Sequence, residues 1–379
     1  MSRFLRFGAL ILILLSLAAC SARYRIDRDS LSIPSPWPFA RGSVSGLGAV
    51  DSGDFPGRLD VIWKTKSGDK PAGPLTIYHG ALVYPGTKKK VRFYDLVSGE
   101  NLGILRTKGI PQTGVVMSDS LAFFCLSPKR NRLYAVDLVN QRVLWRASVK
   151  DAAPGSIILS NRLLISSGEG TLIAVDTETG ETAWRFTAEG RFVASASAGS
   201  GNVFQPSDRS VLHVLSPEDG HEILRVETDG PLVSAVAVAD LVYAADVRGH
   251  VYAIDPDSGR IIWRVKLEGP IWTTPVVLRD RVFVGHSGGW LVALDAASGR
   301  QLWRFETGEV IKASPLALDS YVVVGTMGGR LLLLDASNGR LLAKQQLRGA
   351  IAFPPVTDGR RVFVATQLGR IAAFGEQHE

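Results

Sequence analysis

From residue 60 onward the apolar and polar positions of this chain alternate in short runs, and no segment of useful length after residue 20 holds a helical period. The runs recur. DLVSG (95–99), DLVNQ (137–141), DTETG (176–180), SPEDG (216–220), DPDSG (255–259), DAASG (295–299) and DASNG (335–339) open at intervals of 39 to 42 residues. An apolar run such as LYAV, LIAV or VYAI precedes each turn, and a run such as RVLWRASV or RIIWRVKL follows most of them. Further upstream each unit carries RVFVGH- or YVVVGT-like runs, and before those TTPVV or ASPLAL. Each unit thus predicts four short strands, an inner strand A to an outer strand D. Four strands per ~40 residues is the size of a propeller blade.

Inner strands begin near Pro74, Thr113, Gly155, Ser195, Ser234, Thr274, Ser314 and Pro354, which counts eight blades. The eighth stops after its third strand, RIAAF (370–374). DVIWKT (60–65) has the Trp-basic pattern of an outer strand, so the N-terminal strand is expected to complete the last blade and close the ring. The expected fold is all-β, a single eight-bladed β-propeller over 59–375 with a short tail at 376–379. The Asp opening each turn suits an Asx-turn, and the turn Gly supplies positive φ. Trp145, Trp184, Trp263 and Trp303 lie eight residues after the turn start, sized to fill the wedge between blades.

The first twenty residues differ. Arg3 and Arg6 precede an apolar stretch from Phe7 to Leu17, too short to span a bilayer as a helix, and the stretch ends in Leu17-Ala18-Ala19-Cys20. This is the pattern of a lipoprotein signal peptide over 1–19, with Cys20 lipidated and Ser21 favouring the outer membrane. Residues 20–58, rich in Ser, Gly and Pro, are expected to form a flexible tether. The mature chain would be periplasmic, which disfavours nucleic acid as a partner.

Composition changes this picture little. With 46% hydrophobic and 21% charged residues the chain is neither disordered nor collagenous. Two cysteines preclude a four-cysteine zinc site, and Cys125 within SLAFFCLS reads as a buried small hydrophobe. The six His lie far apart, and no Ser/His/Asp grouping can be assembled. Asp255 and Asp257 of DPDSG invite a calcium-loop reading, but the same turn recurs along the chain without the pair, and the distant bidentate Glu is missing. No cofactor or metal is expected.

The Asp-x-x-x-Gly turn with its following Trp resembles the PQQ-like repeat over residues 60–375. On a lipobox Cys, it is similar to the BamB family, propeller lipoproteins of the outer-membrane β-barrel assembly machinery. Ala343 in RLLAKQQL, where other blades carry Trp, fits that family. The resemblance implies a non-enzymatic, outer-membrane-anchored scaffold facing the periplasm, a monomeric propeller within a complex. Its partner would be the large assembly barrel protein or another periplasmic protein. The family docks through the loops entering blades four and five. Here these are AEGRFVAS, where Arg191 beside Phe192 could match, and ETDGPLVS, with Asp229 and Leu232. The alternative is a quinoprotein dehydrogenase, which shares the repeat but is usually longer, often with adjacent cysteines absent here.

Charge suggests which face docks. Strand direction puts the B–C turns and the D–A linking loops on one face and the C–D turns on the other. The B–C turns hold ten basic and three acidic residues, including Lys89, Arg248 and Arg330; the C–D turns hold thirteen acidic and four basic. The basic face also carries Trp272 and Trp290, the latter expected at an exposed turn position and hence a candidate binding anchor.

Overall fold

The structure, a computed structural model, describes residues 42–376 except 52, 128–131 and 154. Eight antiparallel sheets follow one another along the chain, and all regular structure among the described residues is strand or turn. Blade three shows the unit: Ile157–Leu159, Arg162–Ser167, Thr171–Asp176 and Thr182–Thr187, paired in that order. The third strands, such as Leu331 to Leu334, are buried at successive positions because both sheet faces meet a neighbouring blade. Outer strands alternate, as in the exposed–buried pattern of Thr182–Thr187.

The ring closes as expected. Asp60–Lys66 pairs antiparallel with Arg370–Gly375, so the eighth sheet takes its outer strand from the chain's beginning. On the next loop the Asp69 carboxylate, fully buried, receives the Arg92 guanidinium at 2.6 Å and the Lys88 amide at 3.0 Å. That pairing fastens the closing strand's exit to blade one.

Each outer strand contains a register shift against its neighbour, one extra residue just before the Trp position. The bulge re-aims the next side chain toward the following blade. Trp63, Trp145, Trp184, Trp263 and Trp303 each donate their indole N–H to a backbone carbonyl in the next blade's C–D turn, at 2.8–3.0 Å. The turn Asp residues behave as read: Asp176 Oδ1 accepts the Glu178 and Thr179 amides. The carboxyl of Asp255, the calcium-loop candidate, is likewise bonded to Ser258.

The segment expected to be a tether departs from that reading where it is described. From Val44 to Val50 it crosses the inner strands of blades four to seven. Ala198, Val238, Val277, Ala317 and Asp319 donate their amides to the carbonyls of Val44, Ser45, Leu47, Gly48 and Val50. Ala49–Val50 adds a parallel strand to blade seven. Asp319 then accepts the Gly53 and Phe55 amides, and Phe55 packs edge-on to Tyr321. These backbone groups find partners on the strand edges around the axis, so the strap is docked although its sequence is Ser/Gly-rich. The earlier part, with Cys20, lies outside the described residues, as does the tail beyond Glu376.

Candidate functional site

The D–A loops and B–C turns share one face, tied by bonds such as Phe192 N–H to the Ser167 carbonyl and Leu232 N–H to that of Ser207. The five loops entering blades four to eight each bury one apolar residue: Phe192, Leu232, Ile271, Ile311 and Ile351 are all at or near zero exposure. Phe192 and Leu232, expected among the partner-binding residues, are instead interior plugs that hold their loops down, buried at 0% and 1% exposure. Phe192 stacks on Phe186 at 6.2 Å.

What these plugs support is displayed. Arg191 is largely exposed; its amide donates to Asp208 and its guanidinium lies 3.5 Å from Asp151. Asp229 Oδ2 accepts from Arg264 Nη1 at 2.7 Å and from the Tyr252 hydroxyl at 3.1 Å. Burial pulls the Asp229 carboxyl upward in pKa, but the Tyr252 and Arg264 bonds together hold it below its ordinary value. The same Tyr252 hydroxyl lies 2.7 Å from the fully buried Asp246 carboxylate, so the two acids share its single proton, and Asp246 is 3.0 Å from His250. This polar network was not legible as a site, because its members lie on two blades and join only through the register.

Of the basic turn residues, Lys89 and Arg248 are exposed. Arg330 is tied down: Nη1 donates to the Thr307 carbonyl and Nε pairs with Glu309 at 3.0 Å. Trp290 does not stand out at a turn tip. It opens the strand Trp290–Asp295, is only partly exposed, and lies beneath Arg304, whose guanidinium sits 4.5 Å from its ring. The guanidinium covers the π-face, so the ring packs on its own blade. Among the described residues the exposed indole is Trp272, 48% accessible. It stands at the mouth of an axial hollow of about 290 Å³ with Val193, Val233 and Phe353. Val193 and Phe353 were missed; Val193, Val233 and Trp272 share one loop position in three successive repeats, whereas Phe353 lies one residue beyond the equivalent Ala352.

The hollow's chemistry bears on cofactors. Its lining is apolar residues, glycine, proline and hydroxyls, without a carboxylate. A quinone held on Ca²⁺ needs several oxygen donors, carboxylates among them, so these residues do not fit that group. Among the described residues no three His, Cys, Asp or Glu are grouped to hold a metal ion. Cys125 is buried, and burial alone pushes its thiol up to about 12.

His213 lies under the Arg191 loop, edge-on to Phe192 at 5.6 Å, with Nδ1 2.6 Å from Glu222 Oε1. Its Nε2 is buried with no hydrogen-bond partner among the described residues. Burial lowers the His213 pKa against the opposing pull of Glu222, and burial lowers that of His286 against Glu268. The unfolded chain therefore binds protons first. The stability these rings contribute is complete above the unfolded value of ~6.5 and is lost as pH falls toward the folded values. The melting temperature should drop between pH 7.5 and 5, and a His213→Asn/His286→Asn double variant should flatten that slope. An unchanged slope would exclude both rings as its origin.

Comparison with known proteins agrees with this architecture. No curated protein matches the chain in sequence. In structure it is similar to BamB from Moraxella catarrhalis, with a TM-score of 0.73 and 17% identity over 84% of this chain and 100% of that one. It is similarly close to the computationally designed Ika8 protein, with a TM-score of 0.74 and 14% identity over 84% of this chain and 99% of that one. The quinohemoprotein alcohol dehydrogenase of Comamonas testosteroni gives a TM-score of 0.73 and 13% identity over 93% of this chain and 83% of that one. A designed protein and an oxidoreductase in this company show that these likenesses speak for the fold alone. The family model for the outer membrane protein assembly factor BamB, however, matches residues 129–221, 168–242 and 208–379, and the chain belongs to that family.

Proposed function

We propose that the protein is a non-enzymatic scaffold, lipid-anchored through Cys20 in the outer membrane and facing the periplasm. It assists assembly and insertion of β-barrel outer-membrane proteins by binding a protein partner. Family membership over 129–379 is the observation that carries this reading. Tagged protein affinity-purified from detergent-solubilised membranes should bring down a large outer-membrane barrel with periplasmic repeats. Its consistent absence would favour another periplasmic partner. A quinoprotein dehydrogenase is the lesser reading, since the axial hollow offers no carboxylate. Dye-linked alcohol oxidation by protein incubated with quinone and Ca²⁺ would revive it.

The anchor is tested by Cys20→Ser. The variant should not incorporate a labelled fatty acid; label retained on it would sink the assignment.

The partner is expected on the face of D–A loops and B–C turns, through Arg191, Asp229 and Trp272 with Lys89 and Arg248 around them. Charge sets approach and register, while an exposed indole gains most from desolvation. Lys89→Glu/Arg248→Glu should slow association about tenfold at low salt, less as salt rises. Arg191→Glu or Trp272→Ala should instead speed dissociation, costing about 2 kcal/mol. Neither should move the melting temperature by more than a degree or two. Equal losses from Arg260→Glu and Arg300→Glu, on the opposite face, would place the interface there.

A further inference from the structure

The repeat lets one junction between blades serve as the control for another. At the junction of blades five and six, a cleft of about 80 Å³ is lined by Leu267, Glu268, Trp290, Val292 and Arg304 among others. At the junction of blades seven and eight, Leu347, Arg348, Arg370, Ala372 and Lys64 line the equivalent place, a cleft of about 550 Å³. The registers confirm the equivalence. Trp290 lies opposite Glu306 and Val292 opposite Arg304, as Arg370 lies opposite Lys66 and Ala372 opposite Lys64.

The substitution pattern is one of charge. The four positions read Glu268, Trp290, Arg304 and Glu306 at the first junction, and Arg348, Arg370, Lys64 and Lys66 at the second. Asp229, Glu268 and Glu309 each give a carboxylate to a neighbouring arginine at the three preceding junctions, 2.7 to 3.4 Å away. At blades seven and eight Arg348 stands in the Glu268 position. No carboxylate lines the cleft, and among the described residues none of its four cations has an ion-pair partner. Arg370 and Lys66 are direct cross-strand neighbours, an arrangement that like charges destabilise. The bulky indole that nearly closes the other cleft is also gone.

We propose that this cleft is a binding site for a multiply charged phosphate anion, free in solution or carried on a lipid headgroup. A single carboxylate would leave most of the positive charge uncompensated, whereas a phosphate brings up to two negative charges per group. The two guanidinium groups match its oxygens in pairs, and the lysines add point charges. The cleft's size lies within the range of small-molecule sites.

The test uses residues 20–379 carrying Cys20→Ser, so that no acyl chain takes the protein to a membrane, with tripolyphosphate as probe. Titration calorimetry should give one bound anion per chain, with affinity falling at least tenfold in Arg348→Glu/Arg370→Glu and in the milder Arg348→Gln. Lys89→Glu/Arg248→Glu, basic residues of the same face but other blades, should leave it unchanged. Without ligand, Arg370→Glu should keep or raise the melting temperature, because it restores an opposite-charge pair with Lys66. Co-sedimentation with phosphatidylcholine vesicles, with and without phosphatidic acid, whose phosphomonoester carries up to two charges, separates the sources. Capture only by the anionic vesicles, lost in Arg348→Glu/Arg370→Glu, assigns a headgroup; tripolyphosphate binding without capture assigns a free phosphate. Equal affinity in wild type and Arg348→Glu/Arg370→Glu, no binding of tripolyphosphate or anionic vesicles, or tighter binding of polyglutamate than of tripolyphosphate would overturn the proposal. The last would give the cleft to an acidic protein segment.

Discussion

Trp63→Ala should destabilise the protein by ~3–5 kcal/mol in chemical denaturation, the range for truncating a buried aromatic. The indole is 8% exposed and lies 6.0 Å from Phe363 of blade eight. Its N–H donates to the Leu96 carbonyl in the C–D turn of blade one. That carbonyl also accepts from Arg361 Nη1 at 2.8 Å, so removing the indole does not orphan it. The loss is therefore set by the cavity and the apolar area rather than by the hydrogen bond. The position is also topologically special. Asp60–Lys66 is the only strand of its blade that comes from the other end of the chain. Amides of residues 60–66 should exchange faster in Trp63→Ala than those of any other outer strand, since this strand can detach without unfolding its neighbours in sequence. A cost below about 1 kcal/mol, the range of ordinary surface changes, would mean that the strand does not hold the ring closed.

Much of this arrangement was legible in the chain because the repeat displays it several times. Asp176 and Asp255 opening the turns, Gly180 and Gly259 ending them, and Trp184 and Trp263 after them fix four strands per unit and the blade count. The unpartnered third strand at 370–374 and the isolated Trp63 strand named each other. The strap was not legible, because Val44 to Val50 dock through backbone carbonyls, which leave no side-chain pattern. Trp290 was misplaced for a related reason. Its partner Arg304 is fourteen residues later on the adjoining strand, and only the C–D register brings them together. Phe192 and Leu232 carried a signal that could have been used. Ile271, Ile311 and Ile351 occupy the same loop position, and an apolar residue repeated at one place in five successive blades points inward.

Gly299→Ala should cost about 3–5 kcal/mol, far more than an exposed turn glycine ordinarily would. Its φ of 71° alone costs an L-residue ~1–2 kcal/mol. The rest comes from the Trp263 indole. A Cβ at Gly299 would lie 2.7 Å from Cδ2 of that ring, closer than packed carbon atoms approach, so the indole must leave its wedge. Gly99, Gly180 and Gly339 meet Trp63, Trp145 and Trp303 in the same way. The chain contains its own control. Blade one has Gly103 where five other blades have Trp, and the turn it faces in blade two ends in Gln141 at φ 55° instead of Gly. Where that position has no side chain at all, a residue other than Gly is accommodated at the turn, whereas Leu224 of blade four, 2.8 Å from where a Cβ on Gly259 would lie, keeps its glycine. The two costs should therefore be strongly non-additive: in a Trp263→Ala background, Gly299→Ala should cost only the ~1–2 kcal/mol of its backbone conformation. Denaturant titrations of the two single variants and the double variant decide it. Additive losses would show that the glycine is required by the turn alone and that the indole makes no demand on it.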